Sequence, residues 1–208
     1  MLKPLTKEQT DRILSIAAEE FAEKGFAGTA IGSIAGRAGV SVGGIYKYYA
    51  GKDDLFSACV RKSLESMDEV LDMTGNEGGS LMDMIGNLIS RLQSFAKEKP
   101  EYIRLYHQIT VSGPSAGGAQ NAGLIESGTA KIYKEFIKKA SESGEIRDDI
   151  DPDAFAFIID NLLMMLHFSY ACGYYKDRFR IYLGENALDE DAAIREQMLK
   201  FIGAALRG

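Results

Sequence analysis

A group of polar side chains near the N-terminus has the residue types that bind phosphate oxygens. Lys47, Tyr48 and Lys52 lie within six residues of one another, and Ser41 precedes Lys47 by six residues. Lysine ammonium and tyrosine hydroxyl groups are common donors to the phosphates of nucleic acids. These residues predict contact with a nucleic-acid backbone if a single element presents them together.

Residue types that carry out catalysis or hold metal ions are few in this chain. It has two histidines, His107 and His167, and two cysteines, Cys59 and Cys172, and none lies in a Glu-x-x-His or Cys-x-x-Cys pattern. Such patterns supply the usual ligand sets and reactive dyads. We therefore expect no catalytic residue, no metal site, no cofactor and no enzymatic activity. Each histidine is expected to be half-buried with its hydrogen bonds satisfied, and His107 is a candidate polar contact in a pocket.

The overall charge conceals a gradient along the chain. The net charge is −6, from 24 Lys and Arg against 30 Asp and Glu. Residues 1–62 hold nine basic against seven acidic side chains, whereas the remaining residues hold 15 against 23. A mildly basic N-terminal part on an acidic body is consistent with a small nucleic-acid-binding domain.

Apolar residues recur at helical spacing along most of the chain, without convincing strand alternation. The pattern predicts an all-α fold of about nine helices, with its longest loop at 112–123. The first expected helix ends near residues 24–25. The other eight cover about 31–38, 42–49, 53–71, 81–95, 100–109, 124–140, 152–175 and 187–206. We divide the chain into a three-helix domain over 1–51 and a larger helical body over 52–208.

The segments 31–38 and 42–49 have the proportions of a helix-turn-helix. The small side chain of Ala35 allows two helices to cross closely, and Ile34, Val40 and Ile45 are spaced to form a core between them. Ser41 is placed to cap the second helix.

This stretch resembles the N-terminal domain of the TetR/AcrR family of transcriptional regulators. The resemblance covers about 50 residues and includes the preceding AAEEFAEKGFAGT segment. The matching residues are Ile34-Ala35, Ala38-Gly39-Val40-Ser41, Gly44-Ile45-Tyr46, Tyr49 and Lys52-Asp53-Asp54-Leu55. The rest of the chain matches this family only as an all-helical body of suitable length.

The resemblance implies that the 42–48 helix enters the major groove of double-stranded DNA, with Tyr49 directed inward and Lys52 on a phosphate. The implied DNA-binding residues are Thr29, Gly32, Ser41, Val42, Gly43, Gly44, Tyr46, Lys47, Tyr48 and Lys52.

Two features depart from the family pattern. Ala30 occupies the usual capping position of the second helix, so we expect Thr29 to cap it instead. Gly32, Gly43 and Gly44 lack side chains where DNA contacts are expected, so specificity should depend on few direct contacts, close backbone approach and DNA shape.

For the body, the resemblance implies a homodimer, a near-palindromic operator and a cavity for a small hydrophobic effector. The candidate lining residues are Leu88, Leu92, Tyr102, Tyr106, His107, Phe136, Met164 and Phe168. The candidate dimer seam is formed by Ile159, Leu162, Leu166, Ile194, Met198 and Ile202 from the last two long helices.

One alternative is disfavoured by the sequence, and two others remain open at this stage. The apolar segment 154–175 is long enough to cross a bilayer, but Asp160 and several polar residues interrupt it, so we expect a buried helix of a cytoplasmic protein without a membrane partner. The chain could also be a DNA-binding protein without a ligand, which a fully packed core would favour. The third alternative is a small helical enzyme or carrier with an incidental helix-turn-helix.

Overall fold

The computed structural model describes residues 5–75, 79–112 and 118–207. In these ranges it contains ten α-helices, one short 3-10 helix and no β-strand. The all-α prediction is confirmed. The helices are α1 (Lys7–Gly28), α2 (Ile31–Ala38), α3 (Val42–Tyr46), α4 (Lys52–Gly75), α5 (Leu81–Glu98), α6 (Pro100–Ser112), α7 (Gly118–Glu142), α8 (Pro152–Ala171), α9 (Gly173–Leu183) and α10 (Asp191–Arg207).

Several helix boundaries differ from those expected. Residues 118–123, which were expected to be loop, form the start of α7, while residues 113–117 and 76–78 lie outside the described ranges. Helix α9 was not expected as a separate element, and the final helix begins at Asp191 after a 3-10 turn at Ala187–Asp189. The second short helix is only five residues long, from Val42 to Tyr46.

The chain forms two compact units. Unit 1 comprises residues 1–65 and 101–123, and unit 2 comprises residues 66–100 and 124–208. Helix α4 therefore contributes residues to both units, whereas the boundary expected from the sequence preceded this helix. The expected boundary between residues 51 and 52 stays a prediction about which part of the chain binds DNA and which part forms the body.

The core of unit 1 is apolar and partly aromatic. The fully buried side chains include Ile13, Phe21, Ile34, Ile45 and Leu55. The ring of Phe21 stacks on that of Phe26 at 5.9 Å, and Phe56 meets both rings edge-on at 5.0 and 5.4 Å. These rings pack the end of α1 against the start of α4.

Unit 2 is organised around α5, which contacts both α8 and α10. Gly86 permits the approach of α10, because a Cβ atom at this position would come within 3.3 Å of a Leu199 methyl carbon. Gln93 on α5 donates to the Tyr170 hydroxyl at 3.0 Å and to the Asp191 carbonyl at 3.1 Å. This polar connection fixes the start of α10 on α5 and α8.

Candidate functional site

The turn between α2 and α3 is determined by two local signals. Gly39 has left-handed backbone angles (φ 72°, ψ 30°), which a residue with a side chain rarely adopts. The Val40 amide donates to the Ala35 carbonyl at 3.0 Å and closes the end of α2. The Ser41 hydroxyl accepts from the Gly44 amide at 3.0 Å and caps α3, as expected.

The inner face of this hairpin joins it to the core of unit 1. Ile34, Ala35 and Ile45 are buried, and Tyr49 is directed inward, as the sequence predicts. Val40 is half-buried. Burial raises the pKa of the Tyr49 hydroxyl. The buried face holds the outer face of α3 in a defined orientation.

The outer face of the hairpin carries most of the residues proposed to contact DNA. Tyr46 is 52% exposed, and Val42 and Tyr48 are also exposed large side chains. The backbones of Gly32 and Gly43 lie open, with no heavy atom within 4 Å of an added Cβ. Ser41, Gly32, Gly43 and Lys47 are exposed, whereas Gly44 is half-buried against the Ser41 hydroxyl.

Lys47 and Tyr48 form a small cationic and aromatic group on this outer face. The Lys47 ammonium lies 5.6 Å from the centroid of the Tyr48 ring. The Tyr48 hydroxyl accepts a hydrogen bond of 2.8 Å from the Leu5 amide, which precedes α1. This bond links the start of the described chain to the segment after α3.

Lys52 and Thr29 have internal partners at the junction of α1 and α2. The Lys52 ammonium donates to the carbonyls of Thr29 at 3.0 Å and Ala27 at 3.3 Å, and it lies 4.7 Å from the centroid of the Phe26 ring. Thr29 is only 3% exposed, and its hydroxyl donates to the carbonyls of Glu20 and Gly25. The expectation that Thr29 caps α2 is wrong, because the N-cap is Ala30 without a side-chain hydrogen bond.

An ion cluster around the buried Glu20 carboxylate, which the sequence reasoning missed, joins α1 to α2. The Glu20 carboxylate accepts from Lys24 at 2.5 Å, Arg37 at 2.9 Å and Ser33 at 3.1 Å. The Lys24 hydrogen bond is the largest cause that holds the pKa of Glu20 below its ordinary value. Arg37 also pairs with Glu19, so its guanidinium is neutralised locally. The spacing of Glu20 and Lys24, one helical turn apart, was the available sequence signal.

The residues proposed to line an effector cavity are divided between the two units. Tyr102 is buried and Tyr106 and His107 are half-buried in unit 1, and burial lowers the pKa of His107. The other five, in unit 2, are Leu88, Leu92, Phe136, Met164 and Phe168. Leu88 and Phe136 border an apolar cavity of about 20 Å³, together with residues such as Tyr133. That volume is close to the space of a single water molecule.

The residues proposed for the dimer seam also have two kinds of environment. Ile159, Leu166 and Ile202 are buried within the chain, and Ile159 borders the apolar cavity of unit 2. Leu162, Ile194 and Met198 are half-buried. Large apolar side chains that the sequence reasoning did not select are exposed on the same two helices: Phe157 (69%), Ile158 and Met165 on α8, and Phe201 (66%) on α10.

Helix α8 matches the expected apolar segment. Asp151 caps it by accepting from the Ala154 amide at 2.7 Å, and Pro152 occupies its first turn. Within the described residues it is the one helix long and apolar enough to cross a membrane, and half of its most apolar window is buried inside the fold. Burial raises the pKa of Asp160, within this helix, to about 6. The burial favours a core helix of the fold.

This hairpin and its exposed outer face form a helix-turn-helix, the class of motif that many DNA-binding regulators use. Residues 13–59 match the family model described as bacterial regulatory proteins, tetR family. The match runs from within α1 to within α4, so this part of the chain is similar to the DNA-binding domain of that family.

Named relatives agree with this assignment. The chain is 26% identical over 156 residues to the HTH-type transcriptional repressor KstR2 of Mycobacterium tuberculosis, covering 71% of this chain and 74% of the relative. The structure of FadR from Bacillus subtilis in complex with stearoyl-CoA matches with a TM-score of 0.75 and 19% identity, over 95% of this chain and 99% of that chain. The structure of AibR with isovaleryl coenzyme A and operator DNA matches with a TM-score of 0.68 and 18% identity, over 93% and 97%. The structural likenesses establish the fold.

Proposed function

We propose that this chain is a transcriptional repressor that binds operator DNA through the outer face of α2 and α3 and is released by a small, largely apolar effector. The observation that carries this proposal is the capped α2–α3 hairpin, with Val42, Tyr46 and Tyr48 exposed above a buried core. Exposed aromatic groups and an open backbone are suited to close contact with a DNA groove. A repressor of this kind acts in the cytoplasm, where its operator lies.

Within this surface, we assign different functions to the two lysines. Lys47 is exposed and is proposed to contact phosphate. Lys52 already donates to two carbonyls, so its first function is to fix the junction of α1 and α2 beneath the surface. A phosphate contact would use the remaining N–H of its ammonium group. Thr29 likewise stabilises the junction of α1 and α2 from inside the fold, through its hydrogen bonds to the carbonyls of Glu20 and Gly25.

We further propose that the repressor is a homodimer formed through α8 and α10. The exposed side chains Phe157, Ile158, Met165 and Phe201 supply an apolar face on these helices. Contiguous exposed apolar surface commonly marks an interaction site. The half-buried members of the predicted seam would complete it, while the three buried members support it from the core. A twofold dimer presents two hairpins, which requires a near-palindromic operator.

The relatives support the presence of an effector, whereas the small apolar cavity of unit 2 does not. FadR and AibR are described in complexes with acyl-coenzyme A compounds, and this supports an effector with an apolar chain. The cavity of about 20 Å³ beside Leu88 and Phe136 is too small for such a chain. An effector that binds at this cavity therefore has to open the core of unit 2 as it binds. The cavity also favours a second candidate function, which is DNA binding without a small-molecule effector.

The decisive experiment selects bound sites from random double-stranded DNA with the purified full chain. We expect near-palindromic sites and a dimer in sedimentation, and a monomer bound equally tightly to one half-site would contradict the proposal. Gly43→Glu places negative charge on the proposed DNA surface and should abolish binding. Gly128→Glu, at an exposed helical glycine of α7, is the matched control and should bind normally.

Release from the selected operator then separates the two candidate functions. The wild-type chain is titrated with stearoyl-CoA, isovaleryl-CoA and a broad panel of apolar metabolites while operator binding is measured. Release by one class of compound supports the effector-controlled repressor. Operator binding that no compound changes supports the regulator without an effector.

A further inference from the structure

A polar atom without a partner lies in the core of unit 2. His167 on α8 is only 7% exposed, and its Nε2 atom is buried without a hydrogen-bond partner within the described part of the chain. The sequence predicted a half-buried histidine with satisfied hydrogen bonds, and that prediction is wrong for this residue. Buried polar groups without partners are rare, because each costs the free energy of its lost hydration.

The other buried polar side chains next to it are satisfied. The Ser169 hydroxyl donates to the Met165 carbonyl at 2.8 Å. The Tyr170 hydroxyl donates to Asp191 at 2.8 Å and accepts from Gln93 at 3.0 Å. The continuous buried run 166–172 therefore contains one unsatisfied polar atom beside two satisfied hydroxyls.

The position of His167 along α8 relates it to residues selected independently for the effector site. Met164 and Phe168 were selected from the sequence, and they lie three residues before and one residue after His167. Residues three apart on a helix share a face, so Met164 and His167 are neighbours on α8. Phe168 is buried and Met164 half-buried. His167 therefore lies on the same helix face as Met164, which is proposed to line the effector site, and it carries a polar atom there.

The ionisation state of His167 restricts the compounds that it can recognise. Burial lowers the pKa of its imidazole to about 4, so the ring is uncharged at neutral pH. A neutral imidazole donates one hydrogen bond to a carbonyl oxygen or accepts one from a hydroxyl group. A carboxylate would enter this apolar region without a compensating positive charge, which is costly.

We infer that His167 is the polar recognition residue of the effector site, and that the effector is an apolar compound with an uncharged oxygen, such as a ketone, ester, thioester or alcohol, at its buried end. This inference rests on the proposed effector-controlled function and specifies the chemistry of its ligand. Ligand binding supplies the hydrogen bond that the free protein lacks.

The test compares two matched probes, 2-octanone and n-octane, on the full chain without DNA. Their dissociation constants are measured by calorimetry for the wild type and for His167→Leu. The variant should bind 2-octanone about tenfold more weakly than the wild type does, as expected for one neutral hydrogen bond. Its affinity for n-octane should be unchanged. The comparison between proteins cancels the different hydration of the two probes.

Two further variants protect the test against a simple packing effect. His167→Gln keeps an uncharged hydrogen-bonding group and should retain most of the affinity for 2-octanone. Ser169→Ala removes a satisfied hydroxyl from the same buried run and should leave both affinities unchanged. Equal losses for the two probes in His167→Leu, or no binding of 2-octanone to the wild type, would overturn the inference.

Thermal unfolding without any probe gives a second, independent readout. His167→Leu should raise the midpoint by about 3 °C or more, because it removes an unsatisfied buried group. Ser169→Ala should not raise it. A lower midpoint for His167→Leu would show that His167 is a satisfied structural residue and would overturn the inference. Because neither readout uses DNA, a failure here is distinct from a failure of operator binding.

Discussion

Acidification should destabilise the folded chain through His167, and in the same direction through His107, because burial lowers the pKa of both side chains. Burial lowers the pKa of His167 to about 4, from its ordinary value of 6.5. Between these two values the unfolded chain binds a proton at this position and the folded chain does not. The free energy of unfolding therefore falls as the pH is lowered, and the contribution is fully present only above pH 6.5.

The size of the effect follows from the two pKa values. Integration of proton binding between pH 7 and pH 5 gives a loss of about 2 kcal/mol from this one residue. The complete loss, below pH 4, is about 3 kcal/mol. Asp160 acts in the opposite direction, because burial raises the pKa of its carboxyl to about 6. The contributions of Asp160 and His107 are common to wild type and variant, and they cancel when the two proteins are compared.

The assay is urea unfolding followed by far-ultraviolet circular dichroism at pH 7, 6 and 5, at one fixed protein concentration. The difference in free energy of unfolding between His167→Leu and wild type should grow by about 2 kcal/mol from pH 7 to pH 5. Ser169→Ala should follow the wild type at each pH. Parallel curves for His167→Leu and wild type would refute the reasoning, because they would mean that His167 titrates normally in the folded chain.

Three further predictions concern DNA binding and assembly. Lys47→Ala should reduce the salt slope of operator binding by about one unit, with little change in the midpoint of thermal unfolding. Lys52→Ala should lower that midpoint by several degrees. An unchanged midpoint for Lys52→Ala would contradict its structural function. Gly43→Ala should raise the free energy of unfolding by about 0.5–1 kcal/mol yet weaken operator binding, while Gly128→Ala should stabilise the chain similarly without weakening it. Phe201→Glu should convert the dimer to a monomer in sedimentation, and a persistent dimer would exclude this face.

The α2–α3 hairpin was predictable because its determinants are local. A glycine with left-handed backbone angles, a serine cap and a small residue at the helix crossing are all visible in a short segment. The buried or exposed positions of Ile34, Ile45 and Tyr46 follow once those elements form. Thr29 and Lys52 were harder, because carbonyls at the end of α1 and in the junction to α2 compete with phosphate as their partners.

The faces of α8 and α10 could not be assigned from periodicity. Both helices are apolar on more than one side, so spacing alone did not separate Ile159 and Ile202, which are buried, from Phe157 and Phe201, which are exposed. That distinction depends on which neighbouring helix covers each side. The same limit applies to His167, because the absence of a partner is a property of the assembled core.

The open backbone at Gly32 and Gly43 has a consequence for how such a regulator can change over generations. A Cβ atom added at either position meets no heavy atom within 4 Å apart from its chain neighbours and the backbone of its own helix, and neither glycine has a positive φ. Replacement of a helical glycine by a longer residue also improves helix propensity. Mutations here can therefore add side chains to the proposed DNA-binding surface without passing through an unstable protein. The lineage is free to acquire a different operator at little structural cost.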